Sequence, residues 1–256
     1  MQIWSSCRVF NAGRAIFAHG RHMMSKQDKL KQTAAIAAAR EIESGMRLGL
    51  GTGSTMSFVL DEIARRIREE RIIVVGIPTS TRTELRARQL GIPLTNFAET
   101  EALDLAIDGA DELLQGPLTL IKGLGGALVR ERIVAAAAQR FLVVVDHSKV
   151  VDRFASRAPV PVEVIAFGHQ CVKRRIAELG MRPMLRIADD GAPVLTEGGN
   201  LLYDCYDIDA AVEPAALGEQ LRRLIGVIDC GIFIGMATEA IVGDSRTAIR
   251  HLRRES

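Results

Sequence analysis

Apolar and polar positions fall in alternating blocks along the chain. Residues 28–44 are rich in Ala, Lys and Glu and predict a helix, stopped by Gly45. Residues 46–50 form a short apolar run that enters a glycine-rich turn and read as a strand. Phe58, Val59, Ile63 and Ile67 lie at helical spacing and predict a helix over 55–70. A strand over 72–77 ends at Pro78, and a helix over 81–90 follows, closed by Gly91-Ile92-Pro93. Further strands are predicted over 103–107 and 118–121, a helix over 127–140, and an apolar strand over 141–145.

This repeated alternation implies an α/β fold: a mostly parallel, Rossmann-like sheet with helices on both faces. Beyond Pro159 the elements shorten. Strands over 161–165, 184–187 and 201–205 and helices over 171–180 and 215–224 give an α+β pattern. Residues 156–226 are therefore expected to form a smaller, ferredoxin-like domain. Residues 26–155 and 227–256 are expected to make the larger, Rossmann-like domain, with 231–236 and 240–242 returning to the first sheet.

Composition narrows the function classes. Hydrophobic residues are 48% of 256, enough for a sizeable core, while aromatics are 4%, too few for a base-stacking platform. A net charge of +2 from intermixed residues gives no footprint for nucleic acid or a membrane surface. No apolar run reaches the roughly 18 residues that span a bilayer. Cys7, Cys171, Cys205 and Cys230 show no C-x-x-C spacing and the histidines no ligand spacing. No metal site is expected, and the pattern suits a reducing cytoplasm. Residues 1–23 carry Arg8, Arg14 and Arg21 and no acid, a composition like that of a transit peptide. Because the helical pattern begins only after Ser25, residues 1–25 are read as an unstructured leader or an upstream start before Met24.

Four motifs sit at successive predicted strand ends, where open α/β sheets bind ligands. In Gly49-Leu50-Gly51-Thr52-Gly53-Ser54-Thr55, free N–H groups at a helix start and two hydroxyls offer an anion cradle. The same residues also read as a plain helix cap. Ser54 stands where the third glycine of a dinucleotide fingerprint would be, and no Gly-Lys-Ser/Thr follows. Asp108-Gly109-Ala110-Asp111-Glu112 crowds three carboxylates, which raise one another's pKa and suit proton transfer. A solvated capping turn would use the same residues. Lys122-Gly123-Leu124-Gly125-Gly126 puts a lysine on a flexible loop before a helix bearing Glu131. Asp146-His147-Ser148-Lys149 adds a lysine that could reach a phosphate. Together they suggest a proton-transfer centre beside an anion site, as a small sugar phosphate requires.

In order and spacing these motifs, with Pro159–Glu163 and Gly199-Asn200, resemble the ribose-5-phosphate isomerase type A family over about 26–243. The resemblance implies a cofactor-free aldose–ketose isomerase of the non-oxidative pentose phosphate pathway, assembled as a homodimer or homotetramer. It implies Glu131 as general base, Asp108 and Asp111 as hydroxyl-binding and ring-opening groups, and Lys122 as the cation for the enediolate. It further implies Thr52, Gly53, Ser54, Thr55, Gly109, Ala110, Gly123, Leu124, Gly125, Lys149 and Lys31 as substrate contacts. Leu124, Arg132 and the turn Thr196-Glu197-Gly198-Gly199-Asn200 depart from the usual pattern without removing a catalytic position. Two alternatives are weaker. A sugar-phosphate deaminase or lactonase on this scaffold needs a histidine near the acidic centre. A non-catalytic sensor would have lost the base and gained a DNA-binding helix pair.

Overall fold

The computed structural model describes residues 24–254; the leader expectation for 1–23 lies outside the described residues. In chain order the elements are α1 (Lys26–Ala39), β1 (Arg47–Leu50), α2 (Ser54–Glu69), β2 (Val75–Pro78), α3 (Thr81–Gln89) and β3 (Leu103–Asp108). Next come β4 (Glu112–Leu114), β5 (Thr119–Ile121), α4 (Leu128–Ala137), β6 (Ala138–Asp146), a single 3-10 turn (His147–Lys149) and β7 (Val150–Val151). The chain continues through β8 (Val160–Val164), α5 (His169–Glu178), β9 (Arg182–Leu185), β10 (Leu201–Tyr206) and α6 (Pro214–Arg223). It closes with β11 (Val227–Cys230), β12 (Ile232–Phe233), β13 (Glu239–Asp244) and β14 (Ala248–Arg253).

The main sheet has the order β14-β13-β6-β3-β1-β2, parallel except for the edge strand β14. Its central strands β1, β3 and β6 are largely buried on both faces because helices cover both. Leu48, Leu50, Leu105, Ile107, Leu142 and Val144 pack with the buried residues of α1 and α2. Ala106, Phe141, Val143 and Val145 pack with Val134 and Ala135 of α4. From β1 the chain runs through α2 to β2 on one side, while β3 pairs on the other. The carboxyl ends of β1 and β3 therefore flank a switch point, the usual ligand crevice of such sheets.

The small domain is a β-α-β-β-α-β unit of strand order β11-β8-β10-β9, with β10 antiparallel between β8 and β9. That is the ferredoxin-like arrangement. Val160, Val162, Val164, Tyr203, Val172, Ile176, Leu217 and Leu221 form its core. Residues 227–230, grouped by sequence with the larger domain, pair with β8 in this sheet.

Other differences have identifiable causes. The first helix starts at Lys26 because the Ser25 hydroxyl caps the Asp28 N–H. It stops at Ala39, where Arg66 from α2 donates to the Ala39 and Ile42 carbonyls and satisfies acceptors at the helix end. The strand expected from Phe141 begins at Ala138, since Ala138 and Arg140 pair with Leu103 and Leu105. Residues 231–236 do not rejoin the main sheet. Ile232 and Phe233 pair with β5 in a third sheet, β12-β5-β4-β7. Gly231 permits this crossing: a Cβ there would lie 2.1 Å from the Lys122 carbonyl oxygen, so only a bare backbone can pass. Ala240 to Val242 do return to the main sheet beside β6.

Candidate active site

Asp108 ends β3 at the switch point and is 3% exposed. Its Oδ1 accepts the N–H groups of Thr52, at 3.0 Å, and Gly109, at 2.7 Å. A Cβ on residue 51 would sit 2.1 Å from that oxygen, so Gly51 is what lets the carboxylate reach the β1–α2 loop. The glycine needed here admits the protein's own acid.

Lys122 follows β5 and is 2% exposed. Its ammonium lies 2.9 Å from Asp108 Oδ2, donates to the Gly109 carbonyl at 2.7 Å, and stands 3.5 Å from Glu131 Oε2. Glu131 comes from the first turn of α4 and is 4% exposed. Its Oε2 is buried without a hydrogen-bond partner. One ammonium between two carboxylates leaves the cluster one proton short of neutrality in a dry place. Burial therefore pushes the Glu131 carboxyl up to about 8, against the pull of Lys122 and with help from Asp108 and Asp111. Burial likewise raises Asp108, opposed by Lys122. For Lys122, burial alone would lower the ammonium's pKa; Asp108 and Glu131 outweigh it and hold the pKa above the usual lysine value.

Beside this cluster opens a cavity of about 140 Å³. It is small next to the ~300–1,000 Å³ pockets that take drug-sized ligands. Lys31 and the Thr52–Thr55 stretch line one part; Gly109, Ala110 and Asp111 line another; Lys122, Gly123, Gly125, Glu131 and Lys149 complete it. The Asp111 carboxylate accepts the Leu124 N–H at 2.9 Å, which ties the acidic turn to the lysine loop. Lys31 Nζ donates to the Ser54 hydroxyl at 3.1 Å, placing a cation at the start of α2. A larger hollow of about 530 Å³, lined by Phe97, Ile133 and the exposed Glu84–Arg88 pair, lacks such a buried charge cluster.

Four residues of these motifs turn away from the cavity in whole or in part. Asp108 does not line the cavity but stands behind Lys122. The Leu124 side chain is 41% exposed and also does not line it. The Thr52 hydroxyl turns into a buried cluster with Thr79, Ser80 and Thr83, so that residue's visible bond in the site is its backbone N–H to Asp108. Glu112, the third acid of the turn, begins β4 and points elsewhere, accepting the N–H groups of Arg157 and Ala158 at 2.8 and 3.1 Å. Alternation along the extended chain sends neighbours Asp111 and Glu112 to opposite sides. Conversely, Gln27 lines the cavity and reaches Asp146 and Ser148 at 3.3 and 3.4 Å. No sequence signal marked it. Among the described residues no group of three or more His, Cys, Asp and Glu side chains could hold a metal ion, and no helix is long and apolar enough to cross a membrane.

Comparison with known proteins gives a consistent picture. The family model for ribose 5-phosphate isomerase A (phosphoriboisomerase A) matches residues 75–247. The ribose-5-phosphate isomerase A of Synechococcus sp. (strain JA-3-3Ab) is 48% identical over 219 residues, covering 86% of this chain and 95% of its own. That of Gluconobacter oxydans (strain 621H) is 47% identical over 213 residues, covering 83% and 91%. Among solved structures, ribose 5-phosphate isomerase A of Methanocaldococcus jannaschii superposes with a TM-score of 0.84 at 36% identity, over 89% of this chain and 99% of that one. A D-ribose-5-phosphate isomerase solved in complex with phospho-erythronic acid gives 0.86 at 34% identity, over 90% and 100%.

Proposed function

The chain belongs to the ribose-5-phosphate isomerase A family, and from that premise we propose that Glu131 is the base that shuttles one proton between C2 and C1 of open-chain ribose 5-phosphate. Its carboxylate takes the C2 proton, the electron pair forms the C1–C2 double bond, and the C1 carbonyl oxygen becomes an oxyanion. Return of the proton to C1, with the O2 hydroxyl proton passing to O1, yields ribulose 5-phosphate. The observation that carries this reading is the buried, unpartnered Glu131 Oε2 beside Lys122 Nζ. A base raised toward neutral pH both accepts and returns a proton readily, an effect worth ~10²–10⁴-fold.

Lys122 is assigned the developing oxyanion. Its ammonium is already oriented by Asp108 and the Gly109 carbonyl, so little reorganisation is needed as charge forms. Asp108 then acts through Lys122, and Asp111, which lines the cavity, is the acid that meets the sugar hydroxyls. Lys31, Lys149, Ser54, Thr55 and the start of α2 supply the phosphate end. Phospho-erythronic acid, bound by the relative above, joins a phosphate to a carboxylate. That is the charge pattern of an enediolate on a sugar phosphate.

The test is a coupled assay for ribulose 5-phosphate formed from ribose 5-phosphate, with EDTA present, on wild type and Glu131→Gln. Turnover in wild type that vanishes in a folded variant supports the base assignment. A variant of near-wild-type activity removes Glu131 from that role. A folded wild type without turnover moves the weight to another sugar phosphate.

A further inference from the structure

The loop from Lys122 to α4 contains Gly123, Gly125 and Gly126 and therefore has little intrinsic rigidity. Yet it must hold Lys122 between two carboxylates and keep the Leu124 N–H on Asp111. Part of its restraint comes from the other domain. Arg186 directly follows β9 in the small sheet, and its side chain is 14% exposed. Nε donates to Asp204 Oδ2 at 2.9 Å, and Nη2 bonds Asp204 Oδ1. Nη1 then donates to the carbonyls of Gly123, at 3.1 Å, and Leu124, at 3.0 Å.

One planar guanidinium thus joins a strand of the small domain to two consecutive carbonyls of the catalytic loop. The bidentate pair with Asp204 fixes the plane of the fork and so the direction of Nη1. A lysine could not do both, since its single nitrogen lacks the fork geometry. Arg186 itself does not line the cavity, whereas Gly123 does.

We propose that Arg186 is a positioning residue for the isomerisation, holding the Gly123–Leu124 carbonyls so that Lys122 and Asp111 stay in reacting geometry. This rests on the roles given above to Lys122 and Asp111. Displacement of a reacting group by about 1 Å can cost ~10²-fold in rate. The phosphate end of the cavity, built on α2, Lys31 and Lys149, is not held by Arg186.

Four proteins decide the matter, each as the full chain: wild type, Arg186→Met, Arg186→Lys and Arg182→Met. Arg182 starts the same strand and pairs with Asp207, just past β10, at 2.6 Å, in a more exposed Arg–Asp contact that lies away from the loop. In Arg186→Met, kcat should fall about 10–100-fold. The inhibition constant of inorganic phosphate against ribose 5-phosphate should move less than about twofold, because the anion subsite is untouched. Amide hydrogen exchange over 123–127 should rise, a readout independent of turnover. Arg186→Lys should fall between Met and wild type, and it carries the test alone should the Met variant not fold. Arg182→Met should match wild type throughout.

Three results overturn the proposal. One is a folded Arg186 variant with kcat within about twofold of wild type and unchanged exchange. Another is an equal loss in Arg182→Met. The third is a parallel loss of phosphate binding, which would mark general damage. A wild type that exchanges normally but does not turn over ribose 5-phosphate would instead sink the functional reading on which the proposal stands.

Discussion

On the outer face of α2, Arg65 reaches Glu62, Glu69 and Glu70 at 2.6, 2.8 and 2.7 Å, and Arg66 reaches Glu70 at 2.8 Å. Behind the cavity, Lys122 contacts Asp108 and Glu131 at 2.9 and 3.5 Å. Both are knots of carboxylates around a basic side chain, and the exposed one has the shorter contacts. They respond oppositely. On the helix, Glu62, Glu69 and Glu70 hold the Arg65 guanidinium more firmly protonated, and Arg66 and Arg65 hold Glu70 below the usual glutamate value. Arg65 and Glu70 are both driven further into their charged forms. Behind the cavity, burial outweighs the attraction of Lys122, and Glu131 is driven toward its neutral form. Proximity of opposite charges is common to both knots. Access of water decides whether a knot holds its acids charged or drives one of them toward its neutral form.

That contrast can be broken experimentally. Glu131→Gln keeps the shape and removes the ionisable group; turnover should fall by about 10³-fold or more while circular dichroism is unchanged. Lys122→Met leaves two buried carboxyls without their cation. The coupled assay should show a loss of about 10²–10³-fold, and denaturant unfolding a destabilisation of about 3–5 kcal/mol.

The pH dependence comes next in size. A base with its pKa near 8 should make kcat/KM rise with pH and level off above about 8. Stability should run the other way. The folded protein holds the Glu131 proton more tightly than the unfolded chain, where the carboxyl has its ordinary value of 4.5. This contribution is complete at low pH and is lost as pH rises through about 8. The melting temperature of wild type relative to Glu131→Gln should therefore decline between those limits. Flat curves for both quantities would place the Glu131 pKa in the ordinary carboxylate range. The smallest effect belongs to the exposed knot: Arg65→Ala should leave activity unchanged and shift Tm by about 2 °C or less, less still in high salt. A large effect there would mean that exposure is not what separates the two.

Much of the site was legible because it lies at strand ends, in short stretches whose composition is unusual. The Asp108–Asp111 turn and the Lys122 loop stand out locally, Glu131 is a common residue for a helix start that gains weight only beside them, and their order along a repeating strand–helix pattern points to one crevice. Gln27, Arg186 and the true direction of Glu112 did not stand out. Each is an ordinary residue in an ordinary context, and its partner lies far away: Asp146 for Gln27, the Gly123 and Leu124 carbonyls for Arg186, the Arg157 and Ala158 amides for Glu112.

By itself the sequence determined the strand and helix periods, the two kinds of layer, and which short motifs of unusual composition stand at strand ends, because these depend on neighbours a few residues apart. Only the tertiary structure decided that β11 joins the small sheet, that Ile232 and Phe233 leave the main one, and that Asp108 backs Lys122 instead of lining the cavity. It alone decided that Glu131 is dry and Glu70 is wet. Strand pairing is chosen among all segments at once, and the ionisation of a carboxyl depends on the water excluded by every element packed around it. Neither quantity exists until the chain has closed on itself.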